Sequence, residues 1–319
     1  MTRFRQALPQ LADGFFLTDG GIETTLIFHE GLELPNFAAF HLLRTPEGTA
    51  TLRRYFRTYA ELARRFDAGL VLDSVTWRAS ADWGSRLGYT SAALADANRA
   101  AIRLLEEVRS EYGTERTPVV ISGCIGPRGD GYVSDRAMSE HEAAAYHREQ
   151  IETFAGSAAD MVCAMTMNYA EEAAGIARAA QRAAMPVAIS FTVETDGRLP
   201  TGQDLRSAIE HVDGATSGYP AYYMVNCAHP THFEPVLSAG APWVERIRGL
   251  RANASRMSHA ELNESPDLDV GDPAELGQDY ARLKGCLPRL NVMGGCCGTD
   301  HRHIEHIASA CGPLFPVGA

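Results

Sequence analysis

Two cysteines, Cys296 and Cys297, stand side by side in the stretch NVMGGCCGTDHRHI, Asn291 to Ile304, with Gly294, Gly295 and Gly298 around them. Adjacent thiols project in different directions, and a glycine-rich turn can bend until both reach one point. Three chemistries are open to such a pair. It can pack as small apolar groups, close a strained vicinal disulfide, or grip a metal ion. The chain has seven cysteines, an odd number, and their spacing forms no disulfide framework. In a reducing compartment a cluster of thiols points to metal binding or catalysis. Cys124, Cys163, Cys286 and Cys311 are scattered and read as buried packing groups.

The elements that must position these thiols are short β-like runs. They are Phe15 to Asp19, Leu70 to Asp73, Val119 to Gly123, Met161 to Met165, Val187 to Phe191, Tyr222 to Asn226, Ile247 to Arg251 and Asn291 to Gly294. Most are continuously apolar, as strands buried on both faces are. The seventh is interrupted by Arg248 and Arg251. Helical patterns lie between them. Pro46 suits a first helical position, after which Leu52, Tyr55, Phe56, Tyr59, Leu62 and Phe66 line one face. Ser139 with Glu142 makes a capping box, and Asp272-Pro273 opens a further helix that ends at Gly285. Eight strand–helix units in 319 residues predict an α/β fold, a (β/α)8 TIM barrel forming one domain over residues 1–319.

Barrel sites lie at the C-terminal ends of the strands. Strand one there runs into TDGGIET, strand two into DSVTWRAS, strand three into SGCIGPRGDGY, strand six into VNCAHP and strand eight into GGCCGT. The barrel therefore brings Cys227 beside Cys296 and Cys297. Three converging thiolates suit tetrahedral zinc and leave a fourth position open, as in a catalytic centre.

Net charge is −11, which disfavours nucleic acid and anionic membranes and favours a cationic small molecule. Hydrophobic residues are 45% and charged residues 22%, the balance of a soluble globular chain. Pro9, Gln10 and Asp13 break any signal-peptide core near the start, and no apolar run approaches the ~20 residues of a membrane span. The expectation is a cytoplasmic enzyme. A homo-oligomer is compatible with the sequence and not specified by it.

Taken together, LTDGGIETTL, VNC and GGCCGTDHRHI resemble, in order and over most of the chain from about Asp19 to Ile304, the zinc-dependent homocysteine S-methyltransferases. That family includes betaine, S-methylmethionine and cobalamin-linked members. The resemblance implies zinc on Cys227, Cys296 and Cys297, with Asp19 on the amino group of the thiol. It implies the backbones of Gly20, Gly21 and Gly295 against substrate, and Asn226 and Thr166 in the substrate shell. The chemistry agrees. A free thiol of pKa about 8.5 is mostly protonated at pH 7, and coordination to zinc deprotonates it.

One departure bears on the substrate. The family carries a Glu-Thr pair after strand four whose Glu helps hold the ammonium. Here CAMTMNY keeps Thr166 and puts Met165 in the Glu position. Glu194, after strand five, is placed to reach in from the neighbouring strand end; Glu171 and Glu172 start a helix, where glutamates are usually solvated. Otherwise the acceptor is a different thiol or a selenol. The single barrel expected here leaves no second domain in this sequence for cobalamin or folate, an expectation that favours a small free sulfonium or quaternary ammonium donor such as S-methylmethionine, S-adenosylmethionine or betaine. Trp77, Trp83 and Tyr132 are candidate aromatic faces for that cation, and Arg78 a partner for a donor carboxylate.

The acidic stretch SHAELNESPDLDVGD, Ser258 to Asp272, reads as a solvated surface loop, with a lid as the alternative. His229 is a candidate ligand or proton shuttle, and His303 a structural group at a helix start. GPRGDG lacks the Lys-Ser/Thr of a phosphate loop. A reading of another class is a zinc-binding or thiol redox-sensing protein.

Overall fold

A computed structural model of the chain describes residues 2–133, 137–237, 241–265 and 267–315. Eight parallel strands close a barrel in sequence order: β1 Phe16–Leu17, β2 Gly69–Asp73, β3 Val119–Ile125, β4 Met161–Met167, β5 Val187–Phe191, β6 Tyr222–Asn226, β7 Ile247–Ala252 and β8 Val292–Gly295. Closure runs through Phe16 against Val292 and Leu17 against Met293. The helices are α1 Pro46–Arg65, α2 Ala81–Arg86, α3 Ser91–Tyr112, α4 Glu140–Ala155, α5 Ala170–Arg182, α6 Leu205–Thr216, α7 Pro230–Leu237, α8 His259–Glu264, α9 Pro273–Cys286 and α10 His301–Cys311. This is the single-domain (β/α)8 architecture the strand count predicts. No helix among the described residues is long and apolar enough to cross a membrane.

Alternation along each strand makes two apolar zones. Phe16, Val71, Val120, Met161, Cys163, Ala188, Tyr222, Met224 and Val292 fill the barrel interior. Leu17, Leu70, Leu72, Ile121, Val162, Val187, Tyr223 and Val225 face the helices. Because both faces are buried, the strands read as unbroken apolar runs. The two arginines of β7 have separate reasons. Arg248, at the N-terminal end, reaches the carbonyls of Gln10 and Ala12, each at 3.4 Å. Arg251, at the C-terminal end, is buried under the candidate site.

Helix starts follow their caps. Thr45 accepts from Gly48 N ahead of α1, Ser139 and Glu142 close their capping box on α4, and Asp272 caps α9. Cys124, Cys163 and Cys311 are buried as packing groups and Cys286 is half-buried. All seven thiols are free of disulfides.

Candidate active site

Cys227 follows β6 directly, and Cys296 and Cys297 follow β8. Their sulfurs lie within 4.8 Å of one another. Cys227 Sγ is 2.6 Å from Cys296 Sγ and 3.7 Å from Cys297 Sγ. Cys227 sits at φ +53°, a strained conformation for a residue with a side chain, and so does Thr166 at φ +63°. Asn226 holds both strand ends in place. Its Oδ1 accepts from Thr166 N at 3.0 Å and Ser190 Oγ at 2.6 Å, and its Nδ2 donates to Thr166 Oγ1 at 2.9 Å. The amide is fully buried, and its Nδ2 also reaches Cys296 Sγ at 4.0 Å, so Asn226 ties β4 and β5 to the thiol group from beneath.

The cysteine turn is laid against the start of the chain. Gly21 N donates to Thr299 O at 3.0 Å, Gly295 N to Asp19 O at 2.9 Å, and Gly298 N to Thr24 Oγ1 at 3.0 Å. A Cβ on Gly21 would meet Cys296 O at 2.5 Å. The glycines are therefore needed for contact between two protein segments, and the amides of Gly21 and Gly295 are committed there. Gly20 offers its carbonyl to Tyr55 Oη at 3.0 Å.

Under the thiols lies an ion cluster. Arg251 Nη2 is 2.6 Å from Asp19 Oδ1 and Nη1 is 2.8 Å from Asp73 Oδ2, while Nε donates to Gly295 O at 3.2 Å. Tyr55 Oη donates to the other Asp19 oxygen at 2.9 Å. Burial pushes the Asp19 carboxyl up, and Arg251 and Tyr55 pull against it. Hydrogen bonds from Cys227 and Cys297, helped by the charge of Arg251, hold the Cys296 thiol well below its usual range. The site thus favours thiolate at its centre.

Tyr132 closes the upper side, with its Oη 3.2 Å from Cys227 Sγ and 3.9 Å from Cys297 Sγ. Burial and the neighbouring sulfurs push its phenol well above the usual range, so it stays a donor.

A family model described as homocysteine S-methyltransferase matches residues 16–311. The chain belongs to the homocysteine S-methyltransferase family. This family member is 28% identical over 193 residues to betaine–homocysteine S-methyltransferase 1 of Rattus norvegicus, across 55% of the chain and 45% of that relative. It therefore spans less than half the length of that curated relative. Among solved structures it is similar to the metallated homocysteine methyltransferase MmuM of Escherichia coli, with TM-score 0.74, 19% identity, and 95% and 98% of the two chains covered. The oxidized form of the same protein gives TM-score 0.76 at 20% identity over 96% and 99%. These likenesses speak for the fold.

Several sequence-predicted residues of this homocysteine S-methyltransferase family member have other occupations. Met165 is buried in the barrel interior, and its carbonyl accepts from Trp77 Nε1 at 3.2 Å. Trp77 and Trp83 do not stand as an open cage. The Arg78 guanidinium lies 3.9 Å from each ring and Arg86 4.3 Å from Trp83, so their faces are occupied by protein cations. The ring of Tyr132 packs on His259 with centroids 4.1 Å apart. Glu194 is reached by His259 Nδ1 at 3.2 Å, and both line a narrow crevice beside Cys227.

The stretch Ser258 to Asp272 differs from a plain surface loop. His259 Nε2 lies 2.5 Å from Cys227 O, which ties the start of the segment to the site, and Asp269 Oδ2 accepts from Ser255 Oγ at 2.6 Å near its other end. His229 is no ligand: its Nδ1 is 2.9 Å from Thr231 Oγ1, and it lies outside the thiol group. His303 is fully buried, bonds Val270 O at 2.8 Å and joins the Asp300 cap, the structural place its position suggests.

Sequence reasoning missed Arg251, Tyr55, His259 and Glu23. Arg251 had a visible signal, a charge inside an apolar strand. Glu23 stood inside the quoted DGGIETT motif.

Proposed function

We propose that this chain transfers a methyl group from a small free donor to the sulfur of homocysteine, giving methionine, with zinc held by Cys227, Cys296 and Cys297. The observation that carries this is the meeting of three free thiols at the C-terminal rim of the barrel. A tetrahedral zinc–thiolate centre with bonds of about 2.3 Å separates its sulfurs by about 3.8 Å. Cys227 and Cys297 stand at 3.7 Å, and the exposed Cys297 leaves one side of the group accessible. Zinc bound there would keep the acceptor sulfur deprotonated at neutral pH.

The chain's own residues supply the rest. Arg251 steadies negative charge at Cys296, and Tyr132 hydrogen-bonds the sulfurs from above. His259 and its segment cover the crevice beside Cys227, which limits water at the reacting atoms. Arg78 makes no ion pair among the described residues, donates to Gly129 O at 2.9 Å and keeps an unbonded buried Nε, which supports a role in meeting a reactant's carboxylate. Donors of sulfonium or quaternary ammonium type suit the acidic chain. A reducing, cytoplasmic setting suits three free thiols. With Met165 in place of a carboxylate, a different thiol or a selenol is the alternative acceptor.

A second reading rests on the 2.6 Å approach of Cys227 and Cys296, which makes a redox-sensing dithiol chemically accessible. The deciding experiment is a methyl-transfer assay on zinc-quantified protein. Homocysteine would be offered with S-methylmethionine, S-adenosylmethionine and betaine in turn, and methionine followed by mass spectrometry. Methionine from one donor, lost together with zinc in Cys297→Ser, is expected. Bound zinc without methionine from any donor would move the acceptor to another thiol or selenol. Protein that takes up no zinc under reducing conditions would favour the redox reading.

A further inference from the structure

Among the described residues, every carboxylate around the cysteine group has a protein partner except one. Asp19 and Asp73 share Arg251, Glu194 meets His259, and Asp269 accepts from Ser255. Glu23 has no such partner among the described residues, neither an ion pair nor a hydrogen bond from another residue. Its backbone is nonetheless fixed. Gly21, two residues before it, is bonded to Thr299, and Thr24, directly after it, accepts from Gly298 N at 3.0 Å. Glu23 is thereby clamped to the Cys296–Thr299 turn at the head of the π-helical turn Thr24–His29. It is half-buried, so a small molecule can reach it.

Arg251 and Arg78 act on Glu23 only at a distance, and neither pairs with it. A half-buried carboxylate that no protein cation reaches with a hydrogen bond or ion pair is open to an incoming cation. Both small molecules of the proposed reaction bring positive charge: the ammonium of an amino-acid thiol and the onium centre of the donor.

We propose that Glu23 is the carboxylate that receives the cationic group of a reactant beside the three thiols. The inference rests on the methyl-transfer reading for the identity of the cation. The anchor it assigns lies on the β1 side of the barrel mouth, away from Met165 after β4. An acceptor's ammonium keeps its charge throughout the reaction, whereas a donor's onium charge is lost on transfer. The two sources are therefore separable by which affinity changes.

The test is calorimetric binding to zinc-loaded protein, with L-homocysteine, its desamino analogue 4-mercaptobutyrate, and the amine-free sulfonium dimethylsulfoniopropionate as probes. Wild type should prefer homocysteine over the desamino thiol by roughly tenfold or more, the weight of a charge-assisted hydrogen bond. Glu23→Gln should lose that preference while binding 4-mercaptobutyrate as before. Loss of sulfonium affinity alone would assign Glu23 to the donor. Glu23→Asp, which keeps the charge, should restore part of either effect. Unchanged affinity for all three probes in Glu23→Gln with wild-type zinc content would overturn the proposal. The outcome stays separate from that of the transfer reading: a protein that forms no methionine yet discriminates the amine through Glu23 sinks only the latter.

Discussion

Arg251 Nη2 lies 2.6 Å from Asp19 Oδ1, and this contact ties the end of β7 to the end of β1 directly beneath the thiol cluster. The same guanidinium takes Asp73 at the end of β2 and the carbonyl of Gly295 at the end of β8. Four strand ends therefore converge on one buried cation. Asp19 is already paired, so a ligand that took its carboxylate would compete with Arg251.

Removing that cation leaves two buried carboxylates without a counter-ion. Breaking a buried pair by deleting one member costs about 3 kcal/mol or more. Arg251→Met should lower the melting temperature by ~5 °C or more. Adding Asp19→Asn and Asp73→Asn should recover part of the loss, because the stranded charges go with it. Thermal melts of the single and triple variants check this. A single variant as stable as wild type would show that the cluster contributes specificity of geometry and little stability.

Metal should change the chemistry of three thiols and leave the others alone. Cys227, Cys296 and Cys297 form the thiol group, while Cys124, Cys163 and Cys311 are buried elsewhere. Titration of native protein with a thiol reagent is expected to count about three more reactive thiols after chelation than before. No increase on chelation would argue against zinc on these sulfurs.

Much of this arrangement was legible in the sequence, and the reason is physical. Strands buried on both faces must be apolar throughout, so β5 and β6 could be delimited to the residue: Val187–Phe191 and Tyr222–Asn226. The rim that collects the thiols follows from eight such strands. What stayed hidden depends on side-chain direction across elements distant in sequence. Nothing local says that Arg251 turns toward Asp19, that Arg78 lies between Trp77 and Trp83, or that His259 folds onto Tyr132. The glycines of the cysteine turn were visible, but their purpose was not: Gly21 admits the Cys296 carbonyl, a contact between the two ends of the chain.

Tyr132 supplies a hydrogen bond to the sulfurs that a phenyl ring cannot. Its Oη stands 3.2 Å from Cys227 Sγ, and its ring keeps its place on His259. Tyr132→Phe should preserve the fold and weaken zinc by roughly tenfold, the usual scale for an outer partner of a metal ligand. Competition with a chromophoric chelator measures the affinity. Equal affinities would place the phenol outside the metal's hydrogen-bonding shell.

His229 predicts a pH dependence of stability. It is buried, and burial first, with Arg256 and His232 adding to it, lowers its pKa from 6.5 to about 4. Asp269 pulls the other way. The unfolded chain takes up a proton near pH 6.5 while the folded chain holds out until about pH 4. Between those values the unfolded state binds more protons, so stability falls as pH falls. The sign follows from the depressed folded value: the full contribution is present above about pH 6.5 and is lost through the window down to about pH 4. At about 1.4 kcal/mol per pH unit, the loss is on the order of 3 kcal/mol. His229→Gln removes the titrating group and keeps a hydrogen-bonding side chain near Thr231. Its melting temperature should start below that of wild type at pH 7.5, and the gap should close, then reverse, on titration toward pH 4. Curves that stay parallel across the window would mean that His229 does not titrate between those limits in the folded protein.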